Sequence, residues 1–247
     1  MLQSLNQLFG SKLGASDGEL GHVKDFYFDD QNWAVRYVIA DTGNWLPGRQ
    51  VLISPLAVGP IYEAGKMLPV HLTREQIEHS PLIESHKPVS RQYEQEYHRY
   101  YGWPDYWVGT GLWGGERGFP ILDTPTPHHS GDAPAPTRSK SDPAEAHLRS
   151  VQAVTGYHLE ATDGIVGHVC DFLLDAQSWA INQLVIKVGH RFTGKEVQIP
   201  VSRVTRISYD ESKVYADLTM AAVEKSPEHR ILPNGIVMHQ SDSTLSL

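Results

Sequence analysis

His22 and Asp25 lie three residues apart, and His168 and Asp171 repeat the arrangement 146 positions later. An imidazole beside a carboxylate is the raw material of general acid–base chemistry, or half of a metal site. Each pair follows a glycine, Gly21 or Gly167, in a strand-like run. In that setting a histidine more often serves the framework than a reaction. Asp29 and Asp175 also recur, beside turns, where a carboxylate caps backbone N–H groups. A calcium loop needs several oxygen ligands close together, and neither turn supplies them. Cys170 is the single cysteine, so intramolecular disulfides and multi-cysteine metal sites are excluded. His128 and His129 fall in a Pro/Thr/Ser-rich stretch too loose to preorganise a ligand pair. Gly109 to Gly115 is glycine-rich but follows no strand and opens no helix, and no HExxH or P-loop pattern occurs. The sequence therefore assigns no catalytic, cofactor-binding or metal-ligating residue.

The elements that position these residues come from an internal duplication. Without a gap from Gly10/Gly156 to Pro81/Pro227, 25 of 72 aligned pairs are identical. The shared framework includes Asp17, Gly18, Gly21, His22, Asp25 and Trp33 over Asp163, Gly164, Gly167, His168, Asp171 and Trp179. Within a copy the pattern predicts strands over Val23–Phe28 and Trp33–Ala40, the latter central, then a loop with two glycines (Gly43, Gly48; Gly189, Gly194) and a strand ended by proline. A last strand near Met67–Leu72 leads to Thr73, an N-cap for a helix over Arg74–His79, and copy two repeats this with Thr219. Five to six short strands plus one short helix per copy predict a mainly β chain of two small closed or nearly closed barrels. The expected layout is a first copy over 1–81, an aromatic connecting segment over 82–122, a flexible linker over 123–146, a second copy over 147–230 and a tail over 231–247.

The run G-x-x-x-G-x-V-x-D, followed by a turn, an apolar strand, a glycine-rich loop and a "vxIP" strand, resembles the PRC-barrel family. In copy one it is carried by Asp17-Gly18, Gly21, Val23, Asp25, Gly43, Val51 and Ile53, and in copy two by Asp163-Gly164, Gly167, Val169, Asp171, Gly189, Val197, Ile199 and Pro200. That family includes the cytoplasmic domain of the photosynthetic reaction-centre H subunit, the C-terminal domain of the RimM-type ribosome-maturation factor, and many stand-alone bacterial proteins. The chain is most similar to the stand-alone group. The resemblance implies docking barrels rather than an active site.

Between the copies, Tyr93, Tyr97, Tyr100, Trp103, Trp107 and Trp113 crowd together with charged residues. Arg91 to Tyr101 fits a helix with Tyr93, Tyr97 and Tyr100 on one face, stopped at Gly102-Trp103-Pro104. These aromatics either cover a barrel or anchor a partner or dimer, since Tyr and Trp dominate interface hot spots. Net charge is −8 and evenly spread, which argues against phosphate-driven nucleic-acid binding and against a polybasic membrane patch. The most basic local set is Lys187, Arg191, Lys195, Arg203 and Arg206. No stretch approaches the roughly 18 apolar residues of a membrane span, and no signal peptide is evident, so a cytoplasmic protein is expected. The favoured reading is a non-enzymatic scaffold that binds protein partners, with a membrane or reaction-centre-like complex as one setting. The alternatives are a ribosome- or RNA-associated factor and an enzyme using the repeated His/Asp pairs. The two copies are also candidates to pair with each other, or the chain with itself, near Trp33 and Trp179.

Overall fold

Turn chemistry sets the strands of both copies. In the computed structural model, which describes residues 1–43, 45–46, 50–61, 67–81, 89–108, 112–113, 148–189 and 194–231, the chain is mainly β. The expected linker over 123–146, His128-His129, Gly48, Arg191, most of Gly109–Gly115 and the tail beyond Ile231 lie outside those residues. Copy one runs β1 (Leu2–Ser4), β2 (Lys12–Ala15), β3 (Gly18–Asp29), β4 (Ala34–Asp41), β5 (Val51–Ile53), β6 (Leu68–Pro69) and α1 (Arg74–Glu78). The connecting helix α2 spans Arg91–Tyr101, as its periodicity predicts, and stops at Gly102, which takes the left-handed conformation at φ 71°. Copy two then runs β7 (Leu148–Ser150), α3 (Val151–Val154), β8 (His158–Ala161), β9 (Gly164–Asp175), β10 (Ile181–Val188), β11 (Lys195–Pro200), β12 (Val204–Ser208), β13 (Lys213–Ala216) and α4 (Met220–Glu224).

Asp17 and Asp163 close the β2–β3 and β8–β9 hairpins and act at a distance. Asp17 Oδ1 accepts from Arg74 N at 2.8 Å, and Asp163 Oδ1 from Met220 N at 2.7 Å, so each hairpin caps its own copy's short helix. Thr73 and Thr219 cap the same helices, Thr73 in a reciprocal box with Gln76. Gly21 shows why glycine is required where β3 crosses β4. At φ 135°, a Cβ there would stand 2.0 Å from the Asp41 carbonyl oxygen.

The long strand β3, not β4, is the middle of its sheet. The order is β5-β4-β3-β2-β6 in copy one and β11-β10-β9-β8-β13-β12 in copy two. Twelve residues give β3 room for two partners on one side. Its first half pairs with β2 and its second half with β7, while β4 lies along the other side. The sheets do not close into hydrogen-bonded barrels among the described residues, because neither path joins its two end strands. In copy two the reason is visible. The free edge of β11 is already taken by the segment after α4, through Gln198 N to Pro227 O and His229 N to Glu196 O, both 2.8 Å.

The two copies are built into each other. β1, which opens copy one, pairs with β9 of copy two, and β7, which opens copy two, pairs with β3 of copy one. The registers are equivalent: Leu2 faces Asp175 and Ser4 faces Leu173, while Leu148 faces Asp29 and Ser150 faces Tyr27. One apolar core runs through both copies and the aromatic segment. Replacing Gly21 by alanine is expected to destabilise the chain by about 3 kcal/mol or more, since backbone must move. Gly10→Ala, where φ is 73° but nothing lies within 4 Å, is expected to cost only about 1 to 2 kcal/mol. Urea midpoints of the two variants check the difference.

Candidate functional site

The repeated His/Asp pairs do not form pairs. Asp25 is buried and its carboxylate is engaged by Ser150 Oγ at 2.5 Å, Gln152 N at 3.0 Å and its own neighbour Phe26 N at 2.7 Å. Asp171 is held the same way by Ser4 Oγ at 2.5 Å, Asn6 N at 3.0 Å and Phe172 N at 2.7 Å. His22 is exposed and His168 half-buried, and neither is among these donors. Each aspartate is thus the receiver for the other copy's leading strand. The same serines cap the turns that follow, with Gln7 N at 3.3 Å from Ser4 Oγ and Ala153 N at 3.0 Å from Ser150 Oγ. Asp29 and Asp175 cap their turns as expected, accepting from Gln31 and Asn32 and from Ser178 respectively. Burial raises Asp29, but the Asn32 hydrogen bonds and the Arg36 charge outweigh it, leaving the carboxyl below its ordinary range.

Trp33 and Trp179 stand where the copies meet. Both take positive φ, 51° and 59°, which a bulky side chain adopts only when its surroundings demand it. The surroundings are each other's backbone. Val35 N donates to Trp179 O at 2.9 Å and Ile181 N to Trp33 O at 2.6 Å, bridging Ala34 to Ala180. Main chain makes this contact at the turns, and beside it the rings of Phe28 on β3 and Phe172 on β9 meet with centroids 5.5 Å apart. Arg149 ties the same region, with Nε 2.5 Å from Asp30 of copy one and its guanidinium 4.7 Å above the Tyr209 ring of copy two.

The densest polar constellation lies under α2. Tyr37 of β4 donates to Glu94 Oε1 at 3.0 Å and sits 3.1 Å from His98 Nε2, while Tyr106 also donates to Glu94 Oε1 and Arg91 pairs with Glu94 at 2.9 Å. His98 Nδ1 lies 2.8 Å from Pro104 O. Arg36, 1% exposed, pairs with Asp29 at 3.2 Å, donates to Leu112 O at 2.5 Å and lies 3.9 Å from the Tyr106 ring centroid. Burial pushes Glu94 up against the pull of Arg91, and burial pushes His98 down to about 4. These groups have acid–base chemistry, and Glu94 and His98 are closed off from solvent by the aromatic segment itself.

That segment is cover for copy one. Tyr97, Trp103 and Trp113 are buried, so they have no free surface to offer a partner. Tyr93, Tyr100 and Trp107 are half-buried, and Tyr93 and Tyr100 spend their hydroxyls on Pro81 O and Gln76 O, both at 2.9 Å. Trp113 Nε1 reaches across to Ser178 O of copy two at 2.8 Å. Of the basic set, Arg203 and Arg206 are paired with Asp217 and Glu211 at 3.0 and 3.1 Å. Among the described residues no three His, Cys, Asp or Glu side chains converge to hold a metal, and no described helix is long and apolar enough to cross a membrane. Burial pushes the Cys170 thiol up to about 12, far from a reactive thiolate.

One surface concavity uses both copies. A cleft of about 200 Å³ is lined by Asp30, Gln31 and Trp33 of copy one and by Val204 to Ile207 of β12. β12 ends its sheet, so one side of its backbone has no strand partner among the described residues. The residues that reading the sequence missed are Ser4 and Ser150, though both lie at the repeat spacing just upstream of the aligned region, as do Leu2 and Leu148. No protein-family model matches the chain, and no curated protein matches it.

Two titrations of opposite sign follow. Burial pushes Asp171 up to about 6, so the fold holds its proton to higher pH than the unfolded chain does. Its contribution is fully present below the ordinary carboxylate range and is lost as pH rises through 6. The unfolding free energy of the wild type relative to Asp171→Asn is therefore expected to fall by about 2 to 3 kcal/mol between pH 4 and 7. His98, held neutral, works the other way: stability relative to His98→Gln is expected to drop as pH falls from about 6.5 to 4. Urea titrations of the three proteins across that range measure both.

Proposed function

We propose that the chain is a non-enzymatic docking protein made of two PRC-barrel-type modules, and that its partner is a protein offering an extended segment to the cleft between them. The observation that carries this reading is the cleft itself. It is open to solvent, shared by both copies, and combines the half-exposed indole of Trp33 with an edge of β12 that has no strand partner among the described residues. An open strand edge presents N–H and C=O groups that an incoming extended chain satisfies, while an adjoining pocket selects a side chain. The repeated framework residues support the modular part of the reading, and the enclosure of Glu94 and His98 supports the non-enzymatic part. The pairing of Arg203 and Arg206 with acidic neighbours weighs against phosphate binding at those two positions.

Photo-crosslinking residues placed at Gln31 and Thr205 of the full chain are expected to trap the same protein in native lysate, and one at Glu75 on α1 is expected not to. Trp33→Ala is expected to weaken the shared adduct at least tenfold, in line with a central aromatic anchor. Adducts that form equally from Glu75, or that survive Trp33→Ala, would overturn the proposal. So would recovery of the chain chiefly in ribosomal fractions.

A further inference from the structure

The two leading strands are different peptides doing one job. Residues 2–8 read Leu-Gln-Ser-Leu-Asn-Gln-Leu and residues 148–154 read Leu-Arg-Ser-Val-Gln-Ala-Val. Their shared features are a leucine, a serine two residues on, and apolar residues one and four positions after the serine. Each shared feature has a receiver. Leu2 and Leu148 pair in register opposite Asp175 and Asp29, the serine hydroxyls reach Asp171 and Asp25, and Leu5, Leu8, Val151 and Val154 are fully buried. Main-chain bonding completes the seat, with Leu5 N donating to Phe172 O at 3.0 Å. Nothing covalent enters the contact, and each leader seats on the copy it does not open.

We propose that this groove, along the second half of β9 and of β3, is a recognition site for an extended Leu-x-Ser segment with apolar residues at the first and fourth positions after the serine, and that it accepts that segment from a second copy of the chain. The groove is continuous with the junction at Trp33 and Trp179, so a leader arriving in trans meets the same contacts that the cis leader makes. A buried carboxylate waiting for a hydroxyl and an amide supplies the selectivity, because a segment without serine leaves Asp171 underbonded. This inference stands apart from the docking reading, which concerns a different surface.

The test uses the full-length chain carrying Leu5→Asp, which expels the first leader, and a fluorescent synthetic peptide of residues 1–10 as the probe. Anisotropy is expected to show binding at least 100-fold tighter than to the wild-type chain, whose groove is filled. A Ser4→Ala peptide is expected to bind about tenfold more weakly, the loss of one hydrogen bond to a charged group. A peptide of residues 147–156 is expected to bind within tenfold of the first. If Leu5→Asp alone abolishes the near-ultraviolet circular dichroism, restoration of that signal by the peptide reads out the same event. Absence of both binding and restoration, or binding indifferent to Ser4→Ala, overturns the groove. Two differently tagged wild-type chains refolded together at about 1 mM, near the effective concentration of a tethered segment, are expected to yield mixed dimers. Their absence overturns transfer between chains.

Discussion

A carboxylate buried without partners is among the most destabilising groups a protein can contain. Asp25 and Asp171 are both buried, and most of what satisfies them comes from the other copy. Hydrogen bonds to a charged group contribute about 1.5 to 3 kcal/mol each, and a receiver left empty loses them together. Neither copy is therefore complete by itself. The exchange of leading strands meets that requirement, and the meeting of the two tryptophan turns and the common core join the copies beside it.

Within this near two-fold frame the copies differ in what lies over them. In copy one, Arg36 and Tyr37 on β4 are covered by α2 and the aromatics, and a buried guanidinium is tolerated because Asp29, Leu112 O and the Tyr106 ring surround it. In copy two the equivalent positions are Asn182, exposed, and Gln183, half-buried. The aromatic segment is thus bound to one copy by specific polar chemistry that the other lacks. Trp113 is the exception that reaches both.

Much of the fold was legible because the repeat preserves residues that set backbone: Gly21 at a crossing, Asp17 at a helix cap, Asp29 at a turn, Trp33 at a strained junction. Those positions depend on local geometry, which identity at fixed spacing reports directly. The role of Asp25 was half legible. Its bond to Phe26 N is local, but its bonds to Ser150 and Gln152 join residues more than a hundred positions apart. The serines escaped because apolar similarity around them, Leu5 against Val151 and Leu8 against Val154, is not identity. Of the expected closed or nearly closed barrels, the described residues show mainly β sheets without full closure, and the main-chain pairing that occupies the β11 edge in copy two leaves no side-chain signature. The rings of Tyr97 and Trp103 were visible as a cluster, while the inward sense of Tyr97 follows only from Tyr37 and Leu52 beneath it.

The bridge between Ala34 and Ala180 joins a residue to its own duplicate. Such self-pairing is the mark of an isologous interface, the kind that identical subunits form about a two-fold axis. Here both halves lie on one polypeptide, so their meeting is a first-order event. Pairing of the two halves within one chain therefore does not wait on mass action, as pairing between separate subunits would. The duplication also frees each half from having to match itself. One half was able to acquire an aromatic roof and the other an open edge without either change being imposed twice.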